Sequence, residues 1–156
     1  MTTSPKVKLT DLIAPSFYEL HHELKENLHE EVWLKGGRGS TKSTFTSVEI
    51  LLGMIEDPEA NAVVTRRYQN ELRDTVFGQF EWTAAKMGIM HLLKFQVSPM
   101  QIIFVETGQK IIFRAADNPQ KLKSINLGKG YVKYAWFEEV DQFASMDEIR
   151  NILQSL

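Results

Sequence analysis

The stretch WLKGGRGSTKS, residues 33–43, decides the fold class of this chain. An apolar, strand-like run enters a glycine-rich turn, and a lysine, a serine and an amphipathic helix follow it. This is the layout of a phosphate-binding P-loop, G-x-x-x-x-G-K-[ST], with Thr41 in place of the second glycine. Glycines let backbone N–H groups converge on phosphate oxygens, and the start of a helix adds a favourable dipole. The alternative is an ordinary glycine-rich turn between a strand and a helix.

If the stretch is a P-loop, its residues have separate tasks. The Lys42 ammonium would contact the β- and γ-phosphates, and the Ser43 hydroxyl would bind Mg²⁺. The cofactors predicted in this way are ATP and Mg²⁺. The predicted nucleotide-binding residues are Gly36, Gly37, Arg38, Gly39, Ser40, Thr41, Lys42 and Ser43.

Composition limits the remaining possibilities. The 156 residues are 43% apolar and 24% charged, which suits one domain with a buried core. A net charge of −2 excludes an overall basic surface for nucleic acid, and the lack of cysteine excludes disulfides. No apolar run approaches the roughly 18 residues of a membrane span, and residues 1–12 lack the apolar core typical of a signal peptide. We expect a soluble intracellular protein.

Periodicity predicts alternating helices and strands along the chain. We expect helices from residue 15, over 42–56, over 68–87 and after a capping box at 145–148, and strands at 31–35, 62–65 and 131–137. A β-hairpin is predicted at 101–114. The fold class is therefore α/β: a three-layer P-loop NTPase sandwich with a mostly parallel sheet and an inserted hairpin.

Two acids follow the strand at 131–137. In a nucleotide site, one acid after such a strand holds Mg²⁺ and the other activates the attacking water. We assign Glu138 to the metal, together with Ser43, and Glu139 to catalysis as the base. Acids after a strand are often only solvated, so the assignment depends on the P-loop upstream.

Local basic residues are candidates for phosphate or DNA contact. Arg66 and Arg67 end the strand at 62–65, on the side where open α/β sheets bind ligands. Lys121 and Lys123 begin a stretch, continued by two further lysines, with no acid between Asp117 and Glu138. For the arginines, a solvated pair at the end of a strand is an equally good explanation, and for the lysines the sequence alone favours a solvated loop.

Several stretches together resemble the N-terminal ATPase region of the phage terminase large subunit, the motor that packages DNA. They are GGRGSTKS at 36–43, VTRR at 64–67, VETG at 105–108, IIF at 111–113, NPQKLKS at 118–124 and WFEEVD at 136–141. The resemblance implies ATP hydrolysis that drives double-stranded DNA into a procapsid. It also implies a catalytic role for Arg38, which would stabilise the transferred phosphoryl group beside Lys42 and Glu139.

The resemblance also implies partners and a place. The partners would be double-stranded DNA, the portal protein, the small terminase subunit and further copies of the chain in the motor. The place would be the host cytoplasm, at the procapsid portal. Rival interpretations are a helicase-like P-loop motor and a non-catalytic prophage remnant or interaction module.

Terminase large subunits usually contain more than these residues. The chain ends 17 residues after Glu139, so we expect 1–156 to be an ATPase domain without the C-terminal part of its sheet and without a nuclease domain. In this class, strands from beyond the second acidic motif flank the P-loop strand. We therefore expect strand 31–35 to lack its usual neighbours, and the isolated chain to bind nucleotide weakly and hydrolyse it poorly.

Overall fold

The computed structural model describes residues 6–37, 41–117 and 119–156. The α-helices are α1 (Tyr18–Lys25), α2 (Lys42–Glu56), α3 (Gly78–Met87), α4 (Pro119–Lys123) and α5 (Met146–Gln154). The strands are β1 (Ala60–Arg66), β2 (Leu93–Gln96), β3 (Gln101–Phe104), β4 (Lys110–Ala115) and β5 (Tyr131–Phe137). Short 3₁₀ turns cover Leu9–Asp11, Pro15–Phe17, Gln69–Glu71, Met90–Leu92 and Val140–Gln142.

Within the described residues, five strands form one sheet in the order β2-β3-β4-β1-β5. Strand β1 pairs in parallel with both β4 and β5, whereas β2, β3 and β4 pair antiparallel. The predicted α/β class and the predicted hairpin, formed by β3 and β4, are therefore confirmed. The sheet has a parallel centre and an antiparallel extension, and β5 is an edge strand.

Hydrophobic clusters lie on opposite faces of the sheet. The first packs α2 and α3 against the sheet, with edge-to-face contacts of Phe80 with Phe113 and Trp136. The second joins Leu122 of α4 and the apolar side of α5 to Phe137. Because successive side chains of a strand point to opposite faces, Trp136 and Phe137 divide β5 between the two clusters. No helix in the described ranges is long and apolar enough to cross a membrane.

The predicted strand at 31–35 is wrong. These residues belong to no strand, and the side chains of Val32 and Trp33 are 38% and 54% exposed. The residues have a propensity for strands, but the segment has no described strand with which to pair. An extended segment becomes a strand only when a neighbour accepts its backbone hydrogen bonds, and none of the described strands lies beside this one.

The predicted helix over 68–87 is divided. A 3₁₀ turn at Gln69–Glu71 and a π-helical turn at Arg73–Phe77 precede α3. The Phe77 amide donates to the carbonyl of Leu72, five residues earlier. Val76 and Phe77, at the end of this wider turn, are both buried in the core.

Candidate functional site

The carboxyl ends of β1 and β5 meet at the same edge of the sheet. The Glu138 amide donates to the Thr65 carbonyl at 3.0 Å, which continues the parallel pairing one residue beyond β5. Arg66, the last residue of β1, therefore lies beside Glu138, the residue that follows β5. The start of α2 approaches the same edge, so this end of the sheet collects residues from three elements.

The structure brings Ser43 and Glu138 together. The Ser43 hydroxyl, in the first turn of α2, donates to Oε1 of Glu138 at 3.3 Å. The two residues are 95 positions apart in the chain, so the contact is a product of the fold. It joins the glycine-rich stretch to the acidic pair, which the sequence had placed in one site.

Lys42 and Thr41 shape the entry to α2. The Lys42 ammonium donates to the Gly36 carbonyl at 2.6 Å, which draws the start of the glycine-rich stretch toward the helix. Thr41 has φ +62° and ψ +16°, in the left-handed region. A β-branched residue rarely takes this conformation, and glycine takes it easily. Thr41 therefore adopts a backbone shape that suits the glycine it replaces in the P-loop pattern.

Opposing interactions act on the pKa of the Glu138 carboxyl. Burial and the neighbouring charge of Glu139 raise its pKa. The hydrogen bond from Ser43 and the positive charges of Arg66 and Lys42 act in the other direction without cancelling the rise. A partly buried carboxylate of this kind is stabilised by any additional positive charge brought to it.

Glu139 differs from its neighbour. Its side chain is exposed, its φ is +53°, and it precedes the turn at Val140–Gln142. The left-handed backbone costs about 1–2 kcal/mol in a residue other than glycine, and such strain often marks functional positions. Among the other predicted site residues, Gly37 is exposed, and Arg38, Gly39 and Ser40 lie outside the described residues.

A model of the family described as "Phage terminase large subunit" matches residues 28–156, a range that contains both halves of this site. The chain belongs to the phage terminase large subunit family. The terminase large subunit of Bacillus phage SPP1 is 36% identical over 151 residues, covering 97% of this chain and 36% of that protein. The PBSX phage terminase large subunit of Bacillus subtilis (strain 168) is 32% identical over 110 residues, covering 70% of this chain and 24% of that protein. The chain thus spans about a third or less of these terminase subunits.

Both arginines at the carboxyl end of β1 of this terminase chain have acidic partners. Arg66 pairs with Glu71 of the 3₁₀ turn, with 2.8 Å between Nε and Oε2, and Arg67 pairs with Glu148 of α5. Glu148 also caps α5, because its other oxygen accepts the Ala144 amide at 2.7 Å. The capping-box pattern predicts Glu148 at the start of this helix. No sequence pattern predicts Glu71 beside the site, since only the turn after β1 brings it back.

The basic stretch of the terminase chain is partly neutralised. Lys129 lies 3.9 Å from a Glu59 oxygen, and Lys133 lies 3.4 Å from an Asp57 oxygen. Lys123 is exposed at the end of α4, whereas the side chain of Lys121 lies outside the described residues.

Proposed function

We propose that this chain binds and hydrolyses ATP as part of a terminase large subunit that powers the packaging of double-stranded DNA into a procapsid. The observation that carries the proposal is the contact between Ser43 and Glu138. In P-loop ATPases these two residue types, a P-loop hydroxyl and an acid at a strand end, hold the same metal ion. Family membership supports the packaging role.

The donor set fits Mg²⁺. This ion prefers oxygen ligands and is usually held by one or two protein groups together with phosphates and water. Ser43 and Glu138 offer a hydroxyl and a carboxylate within 3.3 Å of each other. When held by Ser43 and Glu138, the ion would neutralise negative charge that develops on the phosphates. It would also offset the burial that raises the pKa of Glu138.

The remaining residues of the proposed site act on substrate. ATP would lie over residues 36–43, with the Lys42 ammonium turned from the Gly36 carbonyl toward the phosphates. Glu139, which is exposed beside Glu138, would orient and activate the water that attacks the γ-phosphate in line. Arg38 would stabilise charge on the transferred group, as the family resemblance implies. Most of the acceleration would come from positioning and charge stabilisation.

Partners follow from the same role. We propose contacts with double-stranded DNA, the portal protein, the small terminase subunit and other copies of the chain, at the procapsid portal in the host cytoplasm. Lys121 and Lys123 remain the proposed DNA contacts. Arg67 is a weaker candidate because Glu148 already neutralises it.

We propose that residues 1–156 form a P-loop ATPase domain with a three-layer sandwich fold, and that the central sheet of this sandwich extends beyond β5. Strand β5 is an edge within the described residues, and the apolar side chains of Val32 and Trp33 are exposed. Edges and exposed apolar segments of this kind favour pairing with further strands. The SPP1 relative is nearly three times as long as the part matched here, so it has chain enough to supply them.

Titration calorimetry with Mg²⁺ and the slowly hydrolysed analogue ATPγS tests the proposal. We expect weak binding by the chain, and an affinity at least tenfold lower for Lys42→Ala, because charge-assisted contacts to phosphate contribute roughly 1.5–3 kcal/mol. Lys35→Ala is the matched control, since Lys35 is also exposed near the stretch but precedes the glycines. Its affinity should match that of the unchanged chain.

Two results would refute parts of the proposal. Unchanged binding by Lys42→Ala would mean that the phosphate site is elsewhere. If the chain shows no binding with a dissociation constant of millimolar or below, a non-catalytic remnant would be favoured. An ATPase rate for 1–156 equal to that of a longer chain would contradict the expectation that further strands complete the site.

A further inference from the structure

Arg66 is unusually placed for an arginine. It ends β1, is 9% exposed, and its Nε atom is shielded from solvent without a well-aligned hydrogen bond. Its ion-pair partner, Oε2 of Glu71, is shielded in the same way. The Glu71 side chain as a whole is 38% exposed, and ion pairs that reach the surface contribute little to the stability of a fold. Stability alone is therefore a poor explanation for this pair.

The position of Arg66 relative to the site is more informative. Parallel pairing places it beside Glu138, which directly follows the neighbouring strand β5. Its charge reaches the Glu138 carboxyl, on which Lys42 also acts. The Nε side of the guanidinium faces Glu71. Its two terminal nitrogens make no hydrogen bond to the described residues, and these nitrogens form the fork that matches phosphate geometry.

We propose that Arg66 contacts the terminal phosphate of a nucleoside triphosphate, and that Glu71 is a positioning residue that holds the guanidinium at the site. This inference rests on the proposed function. The acid beside Arg66 is Glu138, which together with Ser43 would hold Mg²⁺ next to the phosphates of a bound nucleotide. We expect the Arg66 guanidinium at this position to contact the γ-phosphate, the group that distinguishes ATP from ADP. Glu71 also links the site to the turn that precedes the π-helical segment.

The test compares two nucleotides rather than one. Melting temperatures of the full 156-residue chain, measured against rising Mg²⁺-ATPγS or Mg²⁺-ADP, give both dissociation constants even in the millimolar range. We expect Arg66→Gln to weaken ATPγS binding about tenfold while changing ADP binding less than twofold. Arg66→Lys keeps the charge but loses the fork, so we expect an intermediate effect.

Variants of Glu71, the ion-pair partner of Arg66, distinguish a role in positioning the guanidinium from a role in folding. Glu71→Gln should weaken ATPγS binding about threefold, and it should add nothing further in the Arg66→Gln background, because it acts through Arg66. Arg73→Gln is the matched control, since Arg73 is an exposed arginine in the same segment. It should leave both nucleotides unaffected.

The outcomes are distinct. Equal losses for ATPγS and ADP, or no loss, in Arg66→Gln would overturn the role of Arg66 while leaving the nucleotide site intact. An additive effect of Glu71→Gln in the double variant would overturn its positioning role. If the unchanged chain binds neither nucleotide, the proposed function fails and this inference fails with it.

Discussion

Gln109 ties the helix that starts at the candidate site to the strand that ends there. Its side chain is 1% exposed, and its amide nitrogen lies 2.9 Å from the Met54 carbonyl, 2.8 Å from Asp57 and 2.7 Å from Ala60. Met54 is in the last turn of α2 and Ala60 begins β1. A residue in the β3–β4 turn therefore holds both elements together.

We expect Gln109→Leu to lower the free energy of unfolding by about 3 kcal/mol. Residue 58, which would donate to the Met54 carbonyl if α2 continued, is proline and has no N–H. The Asp57 carbonyl keeps the amide of Ala60 as a donor. The Met54 carbonyl is thus left without a donor, which costs about 1–3 kcal/mol. The contacts of the Gln109 amide with the other two carbonyls are also lost, at about 1 kcal/mol each. The more apolar leucine offsets roughly 1 kcal/mol of this.

Urea unfolding followed by circular dichroism measures the difference. Gln154→Leu makes the same replacement at an exposed position on α5 and should change stability by less than about 0.5 kcal/mol. Thr107→Val removes the 2.7 Å hydrogen bond to the Gln109 side-chain oxygen and the longer 3.4 Å hydrogen bond from the Gln109 amide, and it should cost about 1–2 kcal/mol. A loss below 1 kcal/mol for Gln109→Leu would show that these contacts do not hold α2 and β1 together.

Two further predictions concern a turn and the site itself. Gly130→Ala should cost about 3 kcal/mol or more in urea unfolding, because its Cβ would lie 2.1 Å from the Glu59 carbonyl; Gly128→Ala, with similar φ and open space, should cost only about 1–2 kcal/mol. The folded pKa of Glu138 is raised, so its contribution to stability is complete below the unfolded pKa and is lost as pH rises through the folded pKa. The unchanged chain should therefore lose stability relative to Glu138→Gln as pH rises from 4 toward 8, whereas the same replacement at exposed Glu26 should give no comparable trend.

The elements that were predicted correctly are those whose bounds are set by nearby residues, through apolar periodicity, helix-ending residues or capping residues. Helix α2 has the predicted bounds because its apolar stripe is periodic and Asp57-Pro58 ends it. Strand β1 is strongly apolar and lies between β4 and β5, and β5, at the edge of the sheet, has a run of aromatic and β-branched residues. The serine that caps α5 accepts a hydrogen bond from the Glu148 amide, as the capping box predicts. The short strand β2 was not predicted, because its four residues have no distinctive pattern.

The failures have tertiary causes. The segment 31–35 has strand propensity, but a strand depends on a neighbour that the segment itself does not encode. The residues of the π-helical turn have helical periodicity, and only packing against the core selects the wider turn. For the site, the sequence predicted Ser43 and Glu138 in one place. It did not predict Glu71, whose contact with Arg66 exists only once the chain reverses direction after β1.

The two halves of the glycine-rich stretch are therefore held by different means. Ser43 is held by α2, whose side chains of Phe45, Val48 and Leu51 are almost fully buried. Its distance to Glu138 thus depends on core packing, which needs no strand at 31–35. Gly36 lies on an exposed segment and is tied to the helix by the Lys42 ammonium, the same group that phosphate would attract. Phosphate would compete with the Gly36 carbonyl for that ammonium and weaken the tie, so packing of Leu34 beside α2 would be left to order the Gly36 half. A strand that pairs with 31–35 would add to this ordering, which is why we expect it to strengthen phosphate binding without moving Ser43 or Glu138.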